Sequence, residues 1–196
     1  GRALRPRHIV VGNDFRFGQL RKGTPQMLRY AGYAVTVIEK VADEDGADIS
    51  SSSIRQALQE GEIATANELL GWEWEIEGVV EQGDQRGRTI GFPTANVALG
   101  EHLRPRFGVY AVRALIAGDT DQKWRPGVAN LGKRPTVGKL KENFEVHLFD
   151  FAADLYGKVL RVQIVDFIRP EMKFAGLDQL KAQIGADGEA ARKILG

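Results

Sequence analysis

The run Gly87-Arg88-Thr89-Ile90-Gly91-Phe92-Pro93-Thr94-Ala95-Asn96 gathers glycines, arginines and oxygen-bearing side chains within ten consecutive residues. Gly83, Gly87 and Gly91 can take backbone angles closed to other residues and let main-chain N–H groups approach phosphate oxygens. Arg86 and Arg88 add charge that survives at any working pH. Thr94 offers a hydroxyl and Asn96 a side-chain carbonyl, hard oxygens of the kind that suit magnesium on a nucleotide. A glycine-bearing hairpin followed by a proline turn accounts for the same residues by ordinary turn chemistry.

Three further segments carry chemistry. In Asn143-Phe144-Glu145-Val146-His147-Leu148-Phe149-Asp150-Phe151, alternation sends Phe144, Val146 and Leu148 to one face and Glu145, His147 and Phe149 to the other. A glutamate beside aromatic groups loses hydration and becomes a better proton acceptor. The plainer reading of Glu145 is a strand carboxylate paired with a basic neighbour, and of His147 a hydrogen-bonding rim residue. Gly127-Val128-Ala129-Asn130-Leu131-Gly132-Lys133-Arg134-Pro135-Thr136 is small enough for a flat ring to lie against its backbone. Arg169-Pro170-Glu171-Met172-Lys173-Phe174 joins charge to an aromatic ring, and reads equally as a solvated loop before a helix.

These segments need elements to position them. Before residue 71, His8-Ile9-Val10-Val11 and Ala34-Val35-Thr36-Val37-Ile38 flank a helical Thr24 to Tyr30, which is the grammar of a parallel α/β unit. Ile49 to Leu58 and Glu62 to Leu70 read as helices, the second ended by Gly71. From Trp72 the pattern alternates, with Trp72, Trp74 and Ile76 on one face. Runs at Val109 to Ile116, Val128 to Leu131, Phe144 to Phe151 and Val159 to Ile168 follow, as in a small antiparallel barrel. Leu177, Leu180 and Ile184 mark a terminal helix to Leu195, with an interruption expected around Gly185 to Gly188. The boundary between the two parts is placed at Gly71. Because two parallel strands cannot cover both edges of a sheet, and the chain opens on Gly1 just before a strand, further sequence is expected upstream.

Composition narrows the partners. Lysine plus arginine, 27, nearly balances aspartate plus glutamate, 26, so no overall basic field points to nucleic acid. The chain has no cysteine, which fits a reducing cytoplasm, and no apolar run is long enough to span a membrane.

Taken in order, the motifs from the glycine-rich turn through Pro93-Thr94-Ala95-Asn96, Phe107-Gly108-Val109-Tyr110-Ala111-Val112, Gly127-Val128-Ala129-Asn130, Arg134-Pro135-Thr136, Glu145 to Phe151 and Arg169-Pro170-Glu171 resemble the riboflavin kinase module of the bacterial bifunctional riboflavin kinase/FAD synthetase family. A departure falls at Gly138-Lys139. Upstream, Gly12 to Gly18 and Ile49-Ser50-Ser51-Ser52-Ser53-Ile54-Arg55 resemble the second half of that family's FMN adenylyltransferase module, with Ser52 where threonine is usual. The family's HxGH-type motif is not in this chain, whose histidines are His8, His102 and His147.

The resemblance implies an incomplete nucleotidyltransferase-like α/β part over residues 1–71 and a riboflavin kinase domain over 72–196, a six-stranded antiparallel Greek-key β-barrel with a C-terminal helix. The implied reaction is ATP-dependent phosphorylation of riboflavin to FMN, with magnesium; the full-length protein would also convert FMN to FAD. Thr94 and Asn96 would hold magnesium, and Gly83, Gly87 and Arg88 would line the flap over ATP. Ser51, Ser52 and Arg55 would bind ATP phosphates, the hydroxyls and free N–H groups at a helix start making an anion site on physical grounds as well. Glu145 would be the catalytic proton acceptor, and Arg169, Met172 and Phe174 would close on the flavin. A flavin- or nucleotide-binding module without turnover is the alternative. The partners implied are small molecules, with no nucleic acid and no membrane, and a homo-oligomer is left open.

Overall fold

The computed structural model describes residues 6–39, 49–83, 91–136 and 139–196. It divides into two compact units, Gly1–Ser50 and Ser51–Gly196.

In the first unit, strands β1 (His8–Gly12) and β2 (Ala34–Ile38) pair in parallel, in register from His8 opposite Ala34 to Gly12 opposite Ile38. Between them lies helix α1 (Pro25–Tyr30), which starts on a proline whose missing N–H has no partner to lose at a helix's first turn. Strand, helix and parallel strand are thus as the periodicity indicates.

The second unit opens with helices α2 (Ser51–Glu60) and α3 (Ile63–Leu70), the latter ended by Gly71 in the left-handed conformation at φ 78°. Although their periodicity groups with the N-terminal part, Leu58, Ile63 and Ala66 are buried in one core with Ile76, Tyr110 and Leu160. Asn67 fastens them there: its Nδ2 donates to the Ile164 carbonyl at 3.0 Å and its Oδ1 accepts from the Trp74 N–H at 2.8 Å.

Strands β3 (Glu75–Glu81), β4 (Ala95–Val97), β5 (Gly108–Ile116), β6 (Arg125–Thr136), β7 (Lys139–Leu148) and β8 (Val159–Pro170) close into a six-stranded barrel of order β3-β4-β7-β6-β5-β8, every neighbour antiparallel. Inward residues such as Ile76, Val80, Tyr110, Val112, Leu131, Phe144, Val146, Leu160 and Val162 fill it. The Tyr110 hydroxyl donates to the Arg106 carbonyl; burial pushes this phenol far above the usual tyrosine range, against a smaller lowering by the Arg106 charge. Helix α4 (Leu177–Leu195) lies on the outside, where Val109, Ala111, Val128, Phe149 and Ala191 form a second apolar cluster. No described helix is long and apolar enough to cross a membrane.

Three expectations need correction. The alternating strand begins at Glu75, not Trp72, which is 64% exposed. Ala95 and Asn96 belong to strand β4 rather than to a turn, because β3 and β7 flank them on both sides. Helix α4 runs unbroken through Gly185 and Gly188. Each glycine costs a helix about 1 kcal/mol, and the segment stays helical where Asp187 and Ala191 are buried against the barrel.

Candidate active site

Strand pleating builds the site on the barrel's outer surface. Because Ala95 and Val97 point inward, Asn96 points outward, and β4 sets it opposite Glu145 of β7. On the other side of Glu145, β6 sets Asn130. Directly opposed residues have Cβ atoms about 5 Å apart, so Asn96, Glu145 and Asn130 stand abreast as amide, carboxylate and amide. Asn143, two residues along the same face, donates from Nδ2 to Oε1 of Glu145 at 2.7 Å and orients the carboxylate. Gly83 lies over Asn96 so closely that a Cβ there would overlap the amide, a reason for glycine independent of its φ.

His147 ties the strand that bears Glu145 to the segment that bears Thr94. Its Nδ1 lies 2.7 Å from the Pro93 carbonyl, which can only accept, so the proton sits on Nδ1. Phe92 and Phe149 meet the imidazole edge-on, with centroids 5.8 and 5.9 Å away.

Two cavities share one lining residue here, Thr94. One, of about 360 Å³, is lined by Thr94, Asn130, Glu145 and His147 on its polar side. Phe92, Val109, Val128, Met172, Phe174, Leu180 and Ile184 make its apolar side, with Arg169, Glu171 and Asp187 at the wall. The other, of about 370 Å³, is lined by Val80, Pro93, Thr94, Ala95, Val146, Leu148 and the segment Phe151 to Tyr156. Thr94 borders both.

Of the residues singled out in the sequence, Thr94, Glu145, Arg169, Met172 and Phe174 therefore line a single cavity, and Asn96 stands in register beside Glu145. Ser51, Ser52 and Arg55 line neither cavity; they occupy the first turns of α2, where Arg55 Nη1 donates to Ser51 Oγ at 3.2 Å. Gly87 and Arg88 lie outside the described residues.

The structure adds groups that the motifs do not reveal. Asp187 of α4 is only 4% exposed and takes Arg169 in a forked pair, Nε to Oδ1 at 2.7 Å and Nη2 to Oδ2 at 2.6 Å. The signal was present: Asp187 falls three residues after Ile184, a charge on the apolar stripe of Leu177, Leu180 and Ile184. Among the described residues no cluster of three His, Asp or Glu could hold a metal. Thr94 and Asn96 carry neutral oxygens of the kind that magnesium accepts beside phosphate and water.

The chain matches the family described as riboflavin kinase over residues 70–195 and that described as FAD synthetase over residues 1–53. It is 47% identical to the bifunctional riboflavin kinase/FMN adenylyltransferase of Escherichia coli K12, covering 98% of this chain and 62% of that protein. With the protein of the same name from Bacillus subtilis 168 it shares 42% identity, over 96% of this chain and 60% of that one. A crystal structure named as a macrolide-efflux protein from Streptococcus pneumoniae superposes with a TM-score of 0.78 at 38% identity, over 95% of this chain and 60% of the other. The chain thus spans about three-fifths of the length of the curated relatives it matches. A match that runs from residue 70 to 195 takes in the whole barrel, both cavities and α4, and on it the chain belongs to the riboflavin kinase family.

Proposed function

We propose that this chain transfers the γ-phosphoryl group of ATP to the 5′-hydroxyl of riboflavin, giving FMN. The observation that carries the proposal is that Thr94 belongs to the linings of two cavities, with Glu145 in only one of them. A transfer between two bound molecules needs neighbouring sites.

The cavities divide the substrates. Since the proton acceptor must reach the attacking hydroxyl, the Glu145 cavity takes riboflavin, and Phe92, Met172 and Phe174 offer apolar and aromatic surface to its flat ring system. The nucleotide then lies on the other side of Thr94, its adenine toward Phe151, Leu155 and Tyr156. Glu145 accepts the proton of the ribityl hydroxyl as the O–P bond forms and the bond to the β-phosphate oxygen breaks. Asn143 keeps that carboxylate aimed, and the His147 contact with Pro93 keeps Thr94 at a fixed distance from it. Magnesium, held by Thr94 and Asn96, would neutralise the phosphate charge, the main source of acceleration in this class of reaction.

By sequence we take residues 72–196 as the kinase domain, whose flap includes Gly87 and Arg88, and 1–71 as part of an FMN adenylyltransferase domain, in which Ser51, Ser52 and Arg55 bind nucleotide phosphate although α2 and α3 pack in the barrel body. The chain works on small molecules in the cytoplasm. Its 196 residues contain no HxGH motif, so FMN with ATP is expected to yield no FAD. Chromatography of the folded protein with riboflavin, ATP and magnesium tests the kinase reading: FMN above a no-enzyme control supports it, and its absence returns the chain to a flavin-binding module without turnover.

A further inference from the structure

We infer that Asp187 is a positioning residue for the acceptor site, fixing through Arg169 the wall against which riboflavin's ring system rests; this depends on the kinase reading only for the identity of the ligand. Arg169 closes β8 at the start of the loop that carries Met172 and Phe174, and all three line the Glu145 cavity. A lone guanidinium there would be a mobile cation in a largely apolar wall. Instead Nε and Nη2 go to the two oxygens of Asp187 and Nη1 to the Pro170 carbonyl at 2.9 Å, so that the group is neutralised and held flat. Its face is then set 5.8 Å from the centroid of the Phe174 ring. Two bonds in a fork fix orientation as well as distance, which one bond cannot.

Asp187 is itself held. Gln183, one turn earlier on α4, donates from Nε2 to Oδ1 at 2.9 Å. Leu180 and Ile184 of the same helix line the same cavity. The helix is also fastened at a second point outside the cavity, where Arg192 lies 4.2 Å over the Phe149 ring and pairs with Asp150 at 3.1 Å. Of these two side-chain pairings, only that of Asp187 lines the acceptor cavity. Losing it should loosen the ring-facing wall without disturbing the nucleotide side, where neither Arg169 nor α4 contributes a lining residue.

The test compares wild type, Asp187→Asn and Arg192→Ala, measuring FMN formation at varied riboflavin and varied ATP, and riboflavin binding by fluorescence quenching. Asp187→Asn, which keeps the shape and loses the charge, should raise the riboflavin KM and Kd about tenfold while the ATP KM stays within about twofold. Arg192→Ala should lower the melting temperature and leave riboflavin binding within about twofold of wild type. If Asp187→Asn does not fold, Arg169→Lys, which keeps the charge and loses the fork, should show the same split. Unchanged riboflavin binding in a folded Asp187→Asn, an equal rise in both KM values, or a loss in Arg192→Ala as large as in Asp187→Asn would overturn the inference. A wild type that binds riboflavin but forms no FMN defeats the kinase reading and leaves Asp187 to be judged on Kd; one that binds no riboflavin overturns both.

Discussion

At Glu145 the hydrogen bond that orients a proton acceptor would serve a structural strand carboxylate equally well, and substitution separates the two. Glu145→Gln preserves size and the contact with Asn143 but cannot accept a proton. It should lower kcat on the order of a hundredfold or more with little change in riboflavin affinity. Near-normal kcat in steady-state assays would make Glu145 a paired strand carboxylate. Thr94→Ala and Asn96→Ala each delete one hard oxygen, so both should weaken the apparent affinity for magnesium-ATP, read as a higher magnesium concentration for half-maximal rate, more than the affinity for riboflavin alone. Identical magnesium titrations for wild type and both variants would leave Pro93 to Asn96 with a structural task alone. Residues of this kind were legible because alternation fixes which face a strand side chain takes: Glu145 and His147 on one, Phe144, Val146 and Leu148 on the other. Asp187 was legible only as a charge on an apolar stripe, because its meaning lies in a partner on another element, Arg169, eighteen residues earlier.

Elements were legible where a single periodicity ruled and blurred where neighbours decided. Strand β5 shows its full extent because both faces are apolar apart from Arg113, one filling the barrel and one lying under α4. Strand β4 is only three residues long and carries no periodicity of its own; pairing with β3 and β7 makes it a strand. Helix α4 shows the reverse error, since local propensity argues for a break at its glycines and tertiary docking carries the helix through. A Cβ at Gly185 would meet nothing within 4 Å, and the residue is helical, so Gly185→Ala should stabilise the protein by about 0.5–1 kcal/mol, chiefly by restricting the unfolded chain. Urea denaturation should show a higher midpoint at unchanged slope. A lower midpoint would mean that the helix needs a flexible joint there.

At the scale of the whole molecule, the change from strand-helix-strand to alternation separates a parallel sheet from a barrel, but it could not show which body α2 and α3 join. Their hydrophobic stripes look the same whether they cover a parallel sheet or a barrel, and only the burial of Leu58, Ile63 and Ala66 with the barrel strands decides. The two bodies should differ in local stability. A closed barrel leaves no strand without a neighbour on each side, whereas β1 and β2 pair only with each other among the described residues, and along both strands only Val11 is buried. A two-stranded sheet with so little apolar cover opens at small cost. Amide hydrogen exchange should therefore be fast at residues 8–12 and 34–38, and slow at 160–164, whose side chains alternate into the barrel core. Exchange should also follow two separate profiles as denaturant is added, because local opening of the small sheet does not require opening of the barrel. Protection at residues 8–12 equal to that at 160–164 in the isolated chain would show that the parallel pair is held by contacts beyond its own two strands, and that both bodies open as one cooperative unit.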